Sequence, residues 1–329
     1  MAKVAAKTHI PLLFGTMTMG EAGKNGVRTS DLKECQEILD IFFRYGHKEL
    51  DTARVYGQGT TEETLAKLDL KDATIDTKVF PREPGMHKPG PLRAHFLQSL
   101  AALRRDKVRV LYLHAPDRSV PFEETLSEID KLHKEGKFEI FGLSNYASWE
   151  VAEIVGICRA KGYIEPKIYQ AMYNAITRSM EPELVPCLRK FGIRIVIYNP
   201  LAGGFFAGKL TSVSDPGPKG GRFDSTKGAQ GVLYRNRYIK SGFFDALDVV
   251  KVAAEKHNLR LTEIALRWVQ WHGVLTPEDG VILGASSAAQ LEQNCQDSAA
   301  GPLPEDVLAA LDEANKIVLR SGDAPTYWR

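Results

Sequence analysis

Cysteine is scarce in this sequence: Cys35, Cys158, Cys187 and Cys295 are the only four in 329 residues. Their spacings match no metal-binding pattern, and so few in so long a chain make no disulfide framework. Reduced thiols, a cytoplasmic protein and no bound metal are expected. Charge of one sign is also missing, since 43 Lys and Arg face 41 Asp and Glu. A nucleic-acid partner would leave a clustered basic excess, so none is expected. No run approaches the roughly 18 apolar residues of a membrane span, and Met1–His9 has no stretch apolar enough for a secretory leader. No Gly-x-Gly-x-x-Gly turn follows an early apolar run, which argues against a doubly wound dinucleotide-binding sheet. No linker divides the chain, so residues 1–329 are read as one domain.

What the sequence does contain is alternation. Short apolar runs lie at Ile10–Phe14, His47–Leu50, Ala73–Thr77, Val108–Leu113, Phe138–Leu143, Ile168–Met172, Arg194–Ile197 and Gly280–Leu283. Helical patterns separate them: Leu32–Tyr45, capped by Ser30 or Asp31, then Glu62–Leu68, Leu92–Arg105, Phe122–Glu135, Ser148–Ala160 and Glu181–Phe191. Two more, Ser241–His257 and Thr262–His272, precede the eighth run, and Ala288–Cys295 follows it. Strands alternating with helices imply a parallel sheet, and eight such units imply a closed (β/α)8 barrel. The polar, glycine-rich stretch Gly203–Arg237 is too long for an idle connection and is expected to be a binding loop. Pro304–Val318 predicts an extra C-terminal helix before a tail ending in Tyr327-Trp328-Arg329.

Polar residues cluster where three successive runs end. Asp51 and Tyr56 follow the second run, Lys78 the third and His114 the fourth. A parallel barrel gathers such ends on its catalytic face. Each residue has a structural explanation when taken singly: Asp51 as a turn cap, Tyr56 as a half-buried aromatic, Lys78 as a solvated loop lysine, His114 as a core histidine. Their coincidence at adjacent strand ends favours chemistry. A cation beside a phenol lowers its pKa from about 10 toward neutrality, so Tyr56 beside Lys78 is a candidate proton donor.

Asp51-x-Ala53-x-x-Tyr56-Gly57 with Lys78 and His114 resembles the catalytic tetrad of the aldo-keto reductases. Gly142-Leu143-Ser144-Asn145, Gln170-Ala171-Met172-Tyr173-Asn174 and Tyr198-Asn199-Pro200-Leu201-Ala202-Gly203-Gly204 extend the likeness. Gly221-Arg222-Phe223, Tyr234-Arg235-Asn236-Arg237 and Leu283-Gly284-Ala285-Ser286-Ser287 resemble the branch of aflatoxin-aldehyde and succinic-semialdehyde reductases. The resemblance implies a (β/α)8 enzyme that reduces carbonyls, above all aldehydes, with NADPH. Tyr56 would give the proton, Lys78 held by Asp51 would lower its pKa, and His114 would orient the carbonyl oxygen. Ser144, Asn145 and Gln170 would hold the nicotinamide carboxamide, and Tyr198 would stack on its ring. The segment from Asn199 to Lys209, with Pro200, Leu201 and Gly203, would wrap the pyrophosphate. Ser286, Gln290 and Asn294 would face adenosine. Many members of the family carry a Lys-Ser pair for the 2′-phosphate after the eighth strand. This chain has no cation there, and Arg222 or Lys209 is expected to serve instead.

The same branch implies a homodimer and substrate contacts from Tyr234, Arg237 and Arg329. Tyr234 and Arg237 are three apart, so one helical turn would face both the same way. Aldehydes carrying a carboxylate are therefore the expected substrates. Two alternatives share the features. One is a nucleotide-sensing regulatory subunit, like the channel β-subunits of this fold. The other is a lyase or isomerase using Lys78 as a Schiff-base amine.

Overall fold

The computed structural model describes residues 7–226 and 228–329. Residues 1–6, with most of the Met1–His9 stretch, and Lys227 lie outside them. Eight parallel strands close into a barrel in simple sequence order. They are β1 (Leu12–Gly15), β2 (Glu49–Asp51), β3 (Thr74–Val79), β4 (Val108–Leu113), β5 (Phe138–Ser144), β6 (Ile168–Met172), β7 (Arg194–Tyr198) and β8 (Gly280–Leu283). The first helices are α1 (Leu32–Arg44), α2 (Thr60–Leu65), α3 (Pro89–Leu103), α4 (Phe122–Lys134), α5 (Ser148–Lys161) and α6 (Leu184–Lys190). Then come α7 (Gly228–Tyr238), α8 (Ser241–Lys256), α9 (Leu261–Trp271), α10 (Ala288–Ala299) and α11 (Glu305–Arg320). The expected (β/α)8 barrel is the observed one.

Alternation along each strand splits the core in two. Leu12 and Phe14 of β1 pack outward on the helices, while Leu13 points into the barrel. Val110, Tyr112, Ile168, Val196 and Ile282 join Leu13 inside and fill the barrel with side chains. The same period turns Lys78 inward from β3, whose Ile75 and Val79 pack on the helices. Lys78 is thus a strand residue, not the first residue of a loop as the sequence suggested. The strand runs on past Thr77 because Lys78 and Val79 pair with Tyr112 and Leu113 of β4.

One glycine sets how Tyr112 fits. A Cβ on Gly142 of β5 would lie 2.4 and 2.6 Å from ring carbons of Tyr112 and 2.9 Å from the Ile168 side chain. The ammonium of Lys78 lies 5.8 Å from the centre of that ring. Gly142→Ala should therefore push Tyr112 toward Lys78 and destabilise the barrel by about 1–3 kcal/mol, the range for overpacking. Chemical denaturation measures it, and an unchanged midpoint would show that the ring has room to move.

The Gly203–Arg237 stretch is not all loop. It contains a 3-10 turn at Ala202–Ala207 and most of α7. The helix carries Tyr234 into the core against Phe223, with ring centroids 6.1 Å apart. At the other end, α11 packs along α8, and the tail beyond it returns to the barrel. The Arg329 amide donates to the Asn145 carbonyl at 3.1 Å. The Tyr327 hydroxyl accepts from the Ser148 amide at 3.1 Å and donates to Glu183 at 2.9 Å.

Candidate active site

The C-terminal ends of the strands open into a cavity of about 370 Å³. Asp51 is the last residue of β2, and Tyr56 opens the 3-10 turn Tyr56–Gly59 that follows. Lys78 comes from β3, and His114 directly follows β4. The Lys78 ammonium donates to the Asp51 carboxylate at 2.7 Å, to the Thr52 carbonyl at 2.8 Å and to the Tyr56 hydroxyl at 3.4 Å. The other Asp51 oxygen accepts from the Gln170 amide at 2.7 Å. Tyr56 and His114 meet edge to face, with ring centroids 6.0 Å apart. The four residues are therefore one hydrogen-bonded and ring-packed group. Asp51, Tyr56 and His114 line the cavity, and Lys78 stands behind them, fully buried. Buried and paired in this way, Lys78 does not reach the cavity wall where a Schiff base would have to form.

The electrostatics differ from the sequence expectation in one respect. The Tyr56 phenol is held well above its ordinary pKa, first by desolvation and then by the Asp51, Tyr234 and Tyr198 oxygens, with Arg222 opposing. Lys78 does not bring it toward neutrality, because Asp51 compensates that cation at contact distance. Tyr56 is instead a phenol that stays protonated through the physiological range. The His114 imidazole is held well below its ordinary pKa by burial, with the Lys78 and Arg329 charges adding to the effect. It is neutral at pH 7 and carries one N–H. Its buried Nδ1 has no hydrogen-bond partner within the protein.

The residues expected at a cofactor divide. Asn145, Gln170, Tyr198, Asn199, Pro200, Leu201, Gly203, Arg222, Ser286 and Gln290 all line the cavity. Ser144, Asn294 and Lys209 do not. The Ser144 hydroxyl is buried and donates to the Gln170 carbonyl at 2.9 Å. Asn294 is buried against the Gly284 carbonyl at 3.4 Å. Lys209 is exposed, just past the left-handed Gly208. The Asn145 side chain is already engaged: its amide donates to the His114 carbonyl at 2.7 Å, and its oxygen accepts from the Tyr198 hydroxyl at 3.2 Å.

Tyr234, Arg237 and Arg329 share this cavity. The Tyr234 hydroxyl donates to the Asn199 side chain at 3.3 Å, and its ring carries Arg222 at 5.2 Å and Arg237 at 5.7 Å from its centre. Residues that strand-end reasoning passed over also line it, among them Met17, Asn25, Arg28 and Phe80. Arg28 had one visible signal, a cation at the close of the glycine-rich loop after the first strand. Four guanidiniums, from Arg28, Arg222, Arg237 and Arg329, thus surround a space whose one acidic side chain among the described lining residues, Asp51, is neutralised by Lys78.

Such a site asks for a large anionic ligand. Gly203 lets Tyr234 pack against this wall, since a Cβ there would lie 2.5 Å from its ring, and a Cβ at Gly284 would stand 3.2 Å from the Arg222 guanidinium. No cluster among the described residues could hold a metal ion, and no described helix is long and apolar enough to cross a membrane.

A parallel eight-stranded barrel with an Asp–Tyr–Lys–His group at its mouth defines a class, and the sequence confirms it. The chain belongs to the aldo/keto reductase family, which it matches over residues 11–316. It is an oxidoreductase of a family that uses nicotinamide cofactors. Within the family it is similar to the aflatoxin B1 aldehyde reductase member 2 of Mus musculus, at 43% identity over 96% of this chain and 87% of the relative. It is 40% identical to aldo-keto reductase family 7 member A3 of Homo sapiens over the full length of both. An aldo-keto reductase of Monascus ruber shares 37% identity over 95% of this chain and 96% of its own.

Proposed function

We propose that the protein reduces carboxylate-bearing aldehydes to alcohols with NADPH, in the cytoplasm and as a homodimer. The observation that carries this reading is the Asp51–Lys78–Tyr56–His114 group facing a cavity rimmed by unneutralised arginines. When bound, the reduced nicotinamide supplies the hydride. The chain supplies placement and the proton. Negative charge that develops on the substrate oxygen is met by the protonated Tyr56 hydroxyl, which donates its proton there. The Lys78 ammonium, 3.4 Å away, then stabilises the phenolate left behind. Neutral His114 donates its single N–H to the same oxygen and orients the carbonyl. Gln170 and Lys78 together hold Asp51, so the cation cannot drift from the phenol. Gln170 keeps its carbonyl oxygen for a carboxamide N–H. All four cysteines are free, which suits a reducing compartment.

The substrate class follows from Arg237 and Arg329. The Arg329 charge is close enough to depress His114 and to interact with Tyr56. A carboxylate held by these guanidiniums therefore lies only a short span from the reacting carbonyl. Succinic semialdehyde and 2-carboxybenzaldehyde have that shape, and benzaldehyde lacks the acid. A charge-assisted hydrogen bond contributes roughly 1.5–3 kcal/mol, or about 10- to 150-fold in specificity. With NADPH oxidation followed by absorbance, kcat/KM should favour 2-carboxybenzaldehyde over benzaldehyde by that factor. Arg237→Ala and Arg329→Ala should each reduce the ratio. A wild-type ratio near one, or a ratio that neither substitution alters, would overturn the carboxylate reading.

A further inference from the structure

Arg28 and Arg222 approach one end of the cavity from opposite sides of the chain. Arg28 closes the loop between β1 and α1, and Arg222 lies in the segment after β7. The β1–α1 loop is fastened to the segment after β8: the Thr18 hydroxyl donates to the Ala285 carbonyl at 2.7 Å, and the Thr29 hydroxyl to the Ser286 carbonyl at 3.3 Å. The Arg28 and Thr29 amides both return to the Thr18 carbonyl, at 2.8 and 2.9 Å. The backbone that carries Arg28 is thus held against Ser286, beside the N-terminus of α10. Arg222 reaches the same place, because its guanidinium would meet a Cβ on Gly284. Neither arginine has a carboxylate partner among the described residues. They feel each other instead: partial burial and the Arg222 charge hold the Arg28 guanidinium below its ordinary pKa. Two like charges placed together without a counterion mark a site for a multiply charged anion. The first turn of α10, whose Ser287 cap engages only the Gln290 amide, adds its positive end to the same spot.

We propose that Arg28 selects the cofactor, closing with Arg222 a two-guanidinium clasp on the 2′-phosphate of the dinucleotide. The inference rests on the NADPH reading above and adds to it a residue from the loop after β1, on the other side of β8 from the segment that carries Arg222. The chemistry favours a phosphomonoester over the pyrophosphate. A monoester carries close to two charges and three terminal oxygens at pH 7, enough to occupy two planar forks. Ser286 and Gln290 place the clasp against β8 and the start of α10, on the cavity wall that the β1–α1 loop closes. The left-handed glycine stretch Gly203-Gly204, which would accept the pyrophosphate backbone, belongs to the segment after β7. NADH has a hydroxyl where NADPH has the phosphate, so only NADPH would relieve the repulsion between the arginines.

Equilibrium titration by protein fluorescence separates the outcomes, using NADPH, NADH and adenosine 2′-monophosphate as probes. Arg28→Ala should weaken NADPH and adenosine 2′-monophosphate by about tenfold or more, the loss expected for a charge-assisted contact, and NADH by less than about threefold. Arg28→Lys should fall between, since it keeps the charge without the bidentate fork. Arg222→Ala should show the same selective loss. Equal weakening of NADPH and NADH, or none for either, overturns the clasp. A wild type that binds NADPH and NADH alike also overturns it while leaving nicotinamide-dependent reduction intact. A wild type that binds neither nucleotide overturns both readings.

Discussion

Tyr56→Phe is expected to remove carbonyl reduction while leaving nucleotide binding nearly unchanged. The phenyl ring keeps the edge-to-face contact with His114, so the wall of the cavity survives. The missing atom is the hydroxyl 3.4 Å from the Lys78 ammonium. Loss of a positioned general acid lowers rate by about 10²–10⁴. Steady-state turnover with 2-carboxybenzaldehyde gives the first number and fluorescence titration with NADPH the second. Turnover within about threefold of wild type would remove Tyr56 from the mechanism. The pH profile gives a further check. Tyr56 is shifted up and His114 down, so neither group changes charge between pH 7 and 9. Reduction by the wild type should be flat across that window. A fall centred near neutrality would mean that the phenol had been brought down after all.

Lys78→Met is the second large effect, and it should separate into two parts. The ion pair with Asp51 is buried, with side-chain exposures of 0% and 3%. Removing one partner leaves a carboxylate without its cation, and such losses destabilise by about 3–5 kcal/mol. The stranded Asp51 charge would also raise the Tyr56 phenol further, since it already acts in that direction. Turnover should fall by about 10²–10⁴ as the acid loses the cation that stabilises its conjugate base. The double variant Asp51→Asn with Lys78→Met removes both charges. It should recover most of the denaturation midpoint and none of the turnover. Recovery of both would mean that the pair serves only the fold.

Much of this site was legible from residue order because a parallel barrel converts order into place. Once eight apolar runs separated by helical patterns are counted, the ends of the runs must face one rim, and Asp51, Tyr56, Lys78 and His114 all lie there. Boundaries were less legible. β3 reaches Val79 because β4 offers partners there, and nothing local in Thr77-Lys78-Val79 announces them. Two differences between the residues singled out in the sequence and the lining of the cavity have a common origin in distance along the chain. Lys209 and Arg28 are both cations next to glycine-rich stretches, and local sequence does not rank them. The hydrogen bonds that fix Arg28 at the cavity join residues more than 250 positions apart, while Lys209 is exposed just past a left-handed glycine. The sign of the Tyr56 shift was hidden for a related reason. A neighbouring lysine was visible, but its neutralisation by Asp51 and the dryness of the hydroxyl depend on packing.

The four arginines also govern how ligands arrive. A cleft lined by one sign of charge draws oppositely charged molecules from several ångströms away, and salt shortens that reach to a Debye length of about 8 Å at physiological strength. On the proposed function, capture of an anionic nucleotide by this cavity would be an encounter steered by field, and its association rate should slow as ionic strength rises while dissociation changes less. Polyvalent buffer anions enter the same field. Phosphate and sulfate would sit among the guanidiniums as competitors, whereas a bulky zwitterionic buffer would not. The ionic composition of the medium would therefore be part of the protein's kinetics.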